Sequence, residues 1–107
     1  MTESEFEALA GAALAALESA LEAGVPDADV QAKGEGLLEI EFGDSSKMVI
    51  NRHAAAREIW VAARSGGFHF RHDGSAWRDT RDGTELFAAV SKLASQQGGT
   101  PVVLSAR

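Results

Sequence analysis

The central part of the chain alternates short strand-like segments with glycine-containing turns, and this pattern restricts the fold more than any other feature. Tight turns such as Asp73-Gly74 leave no room for a crossover helix, so consecutive strands must pair antiparallel. The sequence therefore predicts one antiparallel sheet of five to six strands. The predicted strands cover residues 29–33, 38–42, 47–51, 58–63, 68–70 and 77–79.

One face of this sheet is predicted to be solvated and the other buried. Residues 38–42 alternate apolar side chains with glutamates, as in a strand with one wet face. The apolar face needs a cover. The only candidates are two amphipathic segments with helical spacing at the chain ends, over residues 4–23 and after Thr84, which is the expected helix cap.

The order helix, strands, helix predicts an α+β fold. The expected architecture is a two-layer sandwich in which the N- and C-terminal helices cover one face of the sheet. A length of 107 residues suits one compact domain, so a single domain over residues 1–107 is predicted.

Composition and motifs exclude several classes of function. The chain contains no cysteine, which excludes disulfides, thiolate zinc sites and iron–sulfur clusters held by its own side chains. It has no GxSxG motif and no phosphate-binding glycine loop, so no catalytic residue is assigned and no enzyme is predicted. The acidic start and the lack of a long apolar run predict a cytoplasmic protein without membrane contact.

The charge is distributed unevenly along the chain. Residues 1–45 contain eleven acids and one base, whereas residues 46–107 contain five acids and nine bases, so the two local charges are −10 and +4. An acidic half attracts cations and repels phosphates, and we therefore expect no nucleic-acid partner. The alternative explanation is that the acids only keep the protein soluble.

Carboxylates line one side of the first predicted helix, beside its apolar stripe. Four glutamates form two pairs one turn apart, and the helix contains no Lys or Arg. Like charges at this spacing destabilise a helix, which a bound cation would relieve. Oxygen ligands favour hard ions such as Ca²⁺, Mg²⁺, Mn²⁺ and iron, while a simply solvated face is the other interpretation. The acidic ridge is the set Glu3, Glu7, Glu18, Glu22, Asp27 and Asp29.

Trp60 and the three histidines are the remaining candidates. The apolar neighbours of Trp60 suit the core, which places Trp60 itself on the solvated face, as in many protein interfaces. The inverted assignment, with Trp60 in the core, is the alternative. His53, His69 and His72 match no metal-binding spacing, and each is interpreted as a solvated or hydrogen-bonded side chain.

Three segments together resemble the frataxin family in its bacterial form: Val49-Ile50-Asn51-Arg52, Ile59-Trp60-Val61-Ala62 and Gly66-Gly67-Phe68-His69-Phe70. The opening Ser4-Glu5-Phe6 and the closing helix also fall in the family's order. The resemblance covers essentially the whole chain and implies a frataxin-like fold.

The resemblance implies an iron-binding protein that donates or senses iron (Fe²⁺ or Fe³⁺) in iron–sulfur cluster assembly. It implies weak binding on the acidic ridge, where other hard divalent cations can substitute. It also implies docking on the cysteine desulfurase and the scaffold machinery, with Asn51, Arg52 and Trp60 as contact residues. A monomer is the default state, and iron-dependent oligomers stay open.

The chain departs from the family pattern at several positions. His53 stands where a Gln usually follows the Asn-Arg pair, Glu58 replaces a Gln, and Ser19 and Ala23 stand where ridge acids are common. These departures put the stoichiometry and affinity of iron binding in question. Two other functions stay open, namely an acidic interaction module or chaperone that binds no metal, and ferroxidase activity.

Overall fold

The computed structural model describes residues 1–105 and confirms the predicted α+β sandwich; the last two residues of the predicted domain lie outside the described residues. A short 3₁₀ helix, Ala54–Ala56, connects β3 to β4. The elements in chain order are α1 (Glu3–Gly24), β1 (Asp29–Ala32), β2 (Leu37–Glu41), β3 (Lys47–His53), β4 (Glu58–Ala63), β5 (Gly66–His72), β6 (Trp77–Asp79) and α2 (Leu86–Gly98).

The six strands lie in the sheet in the same order as in the chain, and each pairs antiparallel with the next. Side chains alternate between the two faces. Ile50, Ile59 and Val61 are buried against the helices, while Trp60 lies on the side that the helices leave uncovered. This uncovered side is called the open face. The predicted placement of Trp60 is therefore confirmed.

The helix α1 begins with a capping box and buries one apolar stripe. The hydroxyl of Thr2 accepts a bond from the Glu5 N–H at 3.1 Å, and the Glu5 carboxylate accepts one from the Thr2 N–H at 2.8 Å. Such a cap satisfies two otherwise unpaired donors. Across residues 1–105, neither helix is long and apolar enough to span a membrane. The buried stripe consists of Phe6, Ala10, Ala13, Leu14, Leu17 and Leu21.

The prediction that Thr84 caps the second helix is wrong. Glu85 is the cap, because its carboxylate accepts bonds from the N–H groups of Phe87 at 2.7 Å and Ala88 at 3.1 Å. The backbone of Thr84 is already committed to the preceding turn, where its carbonyl accepts a bond from the Asp79 N–H at 2.8 Å. The turn geometry thus overrides the usual preference for Thr at a cap.

Strands β3 and β5 are longer than the alternation predicted. Strand β3 extends to His53, which pairs with Glu58. Strand β5 covers Gly66–His72, because the β4–β5 turn is confined to Arg64 and Ser65. Gly66 has a φ of 148°, a backbone conformation that favours glycine. The two glycines therefore belong to β5, and the turn lies at the two positions before the Gly66-Gly67 pair.

The C-terminal segment, residues 102–104, lies across both helices. Val102 and Leu104 are buried, whereas Val103 is 92% exposed. The Leu104 N–H donates to the Ser91 hydroxyl at 2.8 Å. A Cβ on Gly24 would lie 3.2 Å from the Leu104 side chain, so glycine at the end of α1 permits this close approach. The segment therefore seals the groove between α1 and α2.

Replacing Leu104 by Ala is expected to lower the free energy of unfolding by about 2–3 kcal/mol, because it removes a buried side chain and leaves a cavity. Val103→Ala is the matched control and should change that free energy by less than about 0.5 kcal/mol, since this side chain faces solvent. Urea denaturation of both variants measures the difference. Equal effects at the two positions would contradict the sealing role.

Asp44 and Arg64 join the β2–β3 turn to the end of α2. The Asp44 carboxylate accepts bonds from the Ser46 hydroxyl at 2.6 Å and from Arg64 Nη1 at 3.0 Å. Arg64 Nη2 also donates to the Gln97 carbonyl at 3.3 Å. The hydrogen bonds from Ser46, assisted by Arg64, lower the pKa of Asp44 from 3.8 to about 2.

This shift predicts a pH-dependent contribution to stability. A carboxyl group whose pKa is lowered in the folded state contributes its full stabilisation at pH values above its unfolded-state pKa. That contribution is lost as the pH falls through its folded-state pKa. The stability advantage of the wild type over Asp44→Ala should therefore be complete above pH 3.8 and decrease toward about pH 2. Urea unfolding of both proteins across this range tests the prediction, which a constant difference would contradict.

Candidate metal ridge and open sheet face

The acidic ridge lies at the surface along α1, the following turn and the first residue of β1. Five of its six side chains are exposed, and Glu18 is half-buried. Asp29 accepts a bond from the Gln31 side chain at 2.8 Å. The ridge side chains thus lie at the surface, where solvent and ions reach them.

The ridge carboxylates lack basic partners, whereas several other acids of the chain have them. Glu39 lies 2.9 Å from Lys33 Nζ, and its pKa is lowered chiefly by that hydrogen bond. Glu35 lies 3.7 Å from Arg52 Nη2. By contrast, no ridge acid forms an ion pair with any Lys or Arg in the part of the chain described, residues 1–105. The negative charge of the ridge is therefore not neutralised by those side chains.

The ridge divides into two groups along the helix axis. Eleven residues separate Glu7 from Glu18, a rise of about 16 Å in an α-helix. The first pair lies at the positive pole of the helix dipole, which stabilises carboxylates there, whereas the second group lies at the negative pole, with no basic residue in the last turn. Unrelieved negative potential is thus greatest at the second group, which comprises Glu18, Glu22, Asp27 and Asp29.

The ridge does not form a preorganised metal cage. Among residues 1–105, no three His, Asp or Glu side chains converge closely enough to hold one ion. An ion on this surface would take one or two carboxylates and keep several water ligands, as hard cations do at open oxygen sites. The arrangement is therefore suited to weak and exchangeable binding.

The three predicted partner-binding residues do not share one face. Asn51 and Trp60 are directly opposite each other in the β3–β4 pair and lie on the open face. Arg52 is next to Asn51 in the strand and so points to the helix-covered side, where its side chain packs against Gly36. There it borders a groove that Glu18 also lines. Arg52 therefore lies near Glu18 of the ridge, on the side of the sheet opposite Asn51 and Trp60.

Trp60 lies between two imidazole rings on the open face. The His53 ring is 3.9 Å from the indole centroid at an interplanar angle of 9°, and the His69 ring is 4.5 Å away at 10°. Stacked aromatic pairs of this kind contribute about 0.5–1.5 kcal/mol each. The three rings form the His53–Trp60–His69 stack, which shields the indole from solvent.

Glu58 holds the edge of this stack. Its Oε1 accepts a bond from the Trp60 indole N–H at 2.8 Å and lies 3.5 Å from His69 Nδ1, while Oε2 accepts a bond from Arg71 at 2.6 Å. The Glu58 side chain is only 8% exposed. Its burial raises the pKa, but the hydrogen bonds from Trp60 and Arg71 outweigh that effect and lower it.

Sequence reasoning missed the roles of His53, His69 and Glu58. The alternation did place Glu58 beside Trp60, two positions away on one strand. The cross-strand partners depend on the register, which pairs Trp60 with His69 and His53 with Glu58. A correct β3–β4–β5 register was therefore the missing information.

Comparisons with known proteins agree with this architecture. The model of the Frataxin-like domain matches residues 1–100. A protein named iron-sulfur cluster assembly protein CyaY from Dechloromonas aromatica is 59% identical over 97% of this chain and 99% of its own. A protein of the same name from Cupriavidus metallidurans is 52% identical over 97% and 96% of the two chains.

A solved structure is also similar. The frataxin from Psychromonas ingrahamii superposes with a TM-score of 0.88 at 28% identity, over 98% of this chain and 99% of the other. The fold, the matched family model and the relatives together show that this chain belongs to the frataxin family.

Proposed function

We propose that this protein acts in iron–sulfur cluster assembly in the cytoplasm, where it carries or senses iron on the acidic ridge and docks on the cysteine desulfurase and its scaffold. The names of its relatives, iron-sulfur cluster assembly proteins, support the general role. The observation that carries the iron-binding part is the set of exposed ridge carboxylates without Lys or Arg partners in residues 1–105.

The electrostatics favour a hard cation over a tightly held cofactor. Each unpaired carboxylate attracts a cation with about 1 kcal/mol per unit charge at about 4 Å in water, and less at high salt. Carboxylate oxygens suit Fe²⁺, Fe³⁺, Mn²⁺ and Ca²⁺ more than copper. Ions held in this way exchange quickly, which suits a protein that passes its metal to another.

The docking part of the proposal uses two surfaces. The acidic ridge would steer the protein toward a basic patch on the desulfurase, since long-range charge complementarity raises association rates. Asn51 and Trp60 would contact a partner on the open face. Arg52 would act from the ridge side, because it borders the groove that Glu18 lines.

The double substitution Glu18→Gln and Glu22→Gln should weaken Fe²⁺ binding by at least about tenfold, because it removes two unpaired charges, each of which attracts a cation by about 1 kcal/mol per unit charge before salt screening. Anaerobic calorimetry measures the affinity, and paramagnetic broadening of amide signals locates the ion. The broadening should centre on residues 18–29. Further replacing Asp27 and Asp29 by Asn should weaken binding more.

The matched control is Glu35→Gln with Glu39→Gln, which changes the net charge equally at carboxylates that form ion pairs with Arg52 and Lys33. This control should bind Fe²⁺ nearly as the wild type does. Equal losses in both double variants would show a general charge effect and contradict the ridge as the iron site.

Replacing Trp60 by Ala should weaken binding to purified cysteine desulfurase or its scaffold by at least about tenfold, as expected of a central aromatic contact. Val103→Ala, an exposed change elsewhere on the surface, is the control. Biolayer interferometry at two salt concentrations measures both variants. Unchanged affinity for Trp60→Ala would remove the open face from the docking surface.

An acidic docking module without metal is the second candidate, and the lack of three converging carboxylates within residues 1–105 favours it over a high-affinity metal protein. In that case the double substitution Glu18→Gln and Glu22→Gln would weaken desulfurase binding and leave Fe²⁺ binding unchanged. The proposed function includes no enzymatic step. Equal rates of aerobic iron oxidation with and without stoichiometric protein are therefore expected.

A further inference from the structure

The His53–Trp60–His69 stack covers both faces of the indole. Both rings are nearly parallel to the indole, at 9° and 10°, so each face of Trp60 is covered. The indole N–H is also occupied, since it donates to Glu58. A partner that packs on the flat face of Trp60 must first displace one imidazole ring.

The two histidines differ in what surrounds their ring nitrogens. His69 Nδ1 lies 3.5 Å from Glu58 Oε1, so a protonated ring there gains a carboxylate partner, whereas attraction of a cation to the indole face is common to both stacked rings. His53 Nδ1 is buried and has no hydrogen-bond partner among residues 1–105. A proton on this nitrogen would create a buried N–H without an acceptor, which carries the full desolvation cost.

The charges around His53 do not compensate that cost. Arg52 precedes it but points to the opposite side of the sheet, where the ridge helix also lies. Glu58 is the acid opposite His53 in the β3–β4 pair, and it is already shared by Arg71 and His69. The charged and titratable neighbours of His53 are Glu58 from β4, His69 and Arg71 from β5, and Arg57 at the end of the 3₁₀ helix.

We propose that His53 is a proton-controlled cover of Trp60. The neutral ring stacks on the indole, and the protonated ring moves to solvent and exposes one indole face, while His69 and Glu58 hold the other face and the edge. This inference rests on the proposed docking role of Trp60 and adds its regulation. Acidification from about pH 8 to pH 5, the range in which histidines commonly change charge, would open the contact surface.

Proton NMR of the wild-type protein tests the cover directly. Ring protons of a histidine stacked on Trp60 are displaced by the indole ring current. The displacement of the His53 signals should disappear together with the titration of His53 itself, while the displacement of the His69 signals persists. Retention of the His53 displacement through its own titration would overturn the proposal.

Acrylamide quenching of tryptophan fluorescence gives a second readout. Trp77 is only 6% exposed, so this neutral quencher reports chiefly on Trp60. Quenching should increase between pH 8 and pH 5 in the wild type and in His69→Gln, and stay constant in His53→Gln. A pH dependence that survives in His53→Gln, or vanishes in His69→Gln, would contradict the assignment to His53.

Neither measurement uses iron or the desulfurase, so the two hypotheses fail separately. If His53 is released as the pH falls but the desulfurase does not bind, the docking role is contradicted and the proposal for His53 stands. If the desulfurase binds through Trp60 but the ring stack does not change with pH, the docking role stands and the proposal for His53 is contradicted.

Discussion

The burial of one sheet face beneath two helices is the constraint on which the rest of this structure depends. Strict alternation along β2, β3 and β4 directs apolar side chains to that face, and a shift of one residue in register would reverse every one of them. The same alternation leaves the other side of the sheet without a cover. The open face and its ring stack are therefore direct consequences of how the core is built.

The two candidate surfaces use charge in different ways. On the ridge, carboxylates stand without basic partners in the described part of the chain, and their potential extends into solvent. On the open face, Glu58 is buried and satisfied by Trp60 and Arg71, so its charge fixes side chains in place. The first arrangement suits attraction of ions and partners, and the second suits a contact surface of defined shape.

Much of the fold could be predicted from the sequence, because periodicity and turn residues act locally. The stripe on α1, the strand order and the face of Trp60 all follow from spacing. Thr84 was misassigned because the turn from β6 engages its backbone, which composition does not reveal. Register, which decides the partners of Trp60, depends on pairing between distant residues and was beyond local reasoning.

Part of the site could have been read more accurately from the same rules. Asn51 and Arg52 are neighbours in one strand, so period two alone separates them onto opposite faces; the family resemblance grouped them instead. The lack of ion pairs along the ridge could not be foreseen, because it depends on where the basic second half of the chain folds. Arg52 and Arg64 from that half pair with other acids, as does Lys33 from the first half.

The strand order has a consequence for how the chain folds during synthesis. Every strand pairs with its neighbour in the chain, so each hairpin closes a short loop and can form as soon as it leaves the ribosome. The cover of the core behaves differently, since α2 and residues 102–104 are translated after all six strands. The nascent sheet therefore keeps part of its apolar face exposed until α2 and residues 102–104 have emerged, and during that interval exposed apolar surface favours aggregation and chaperone capture.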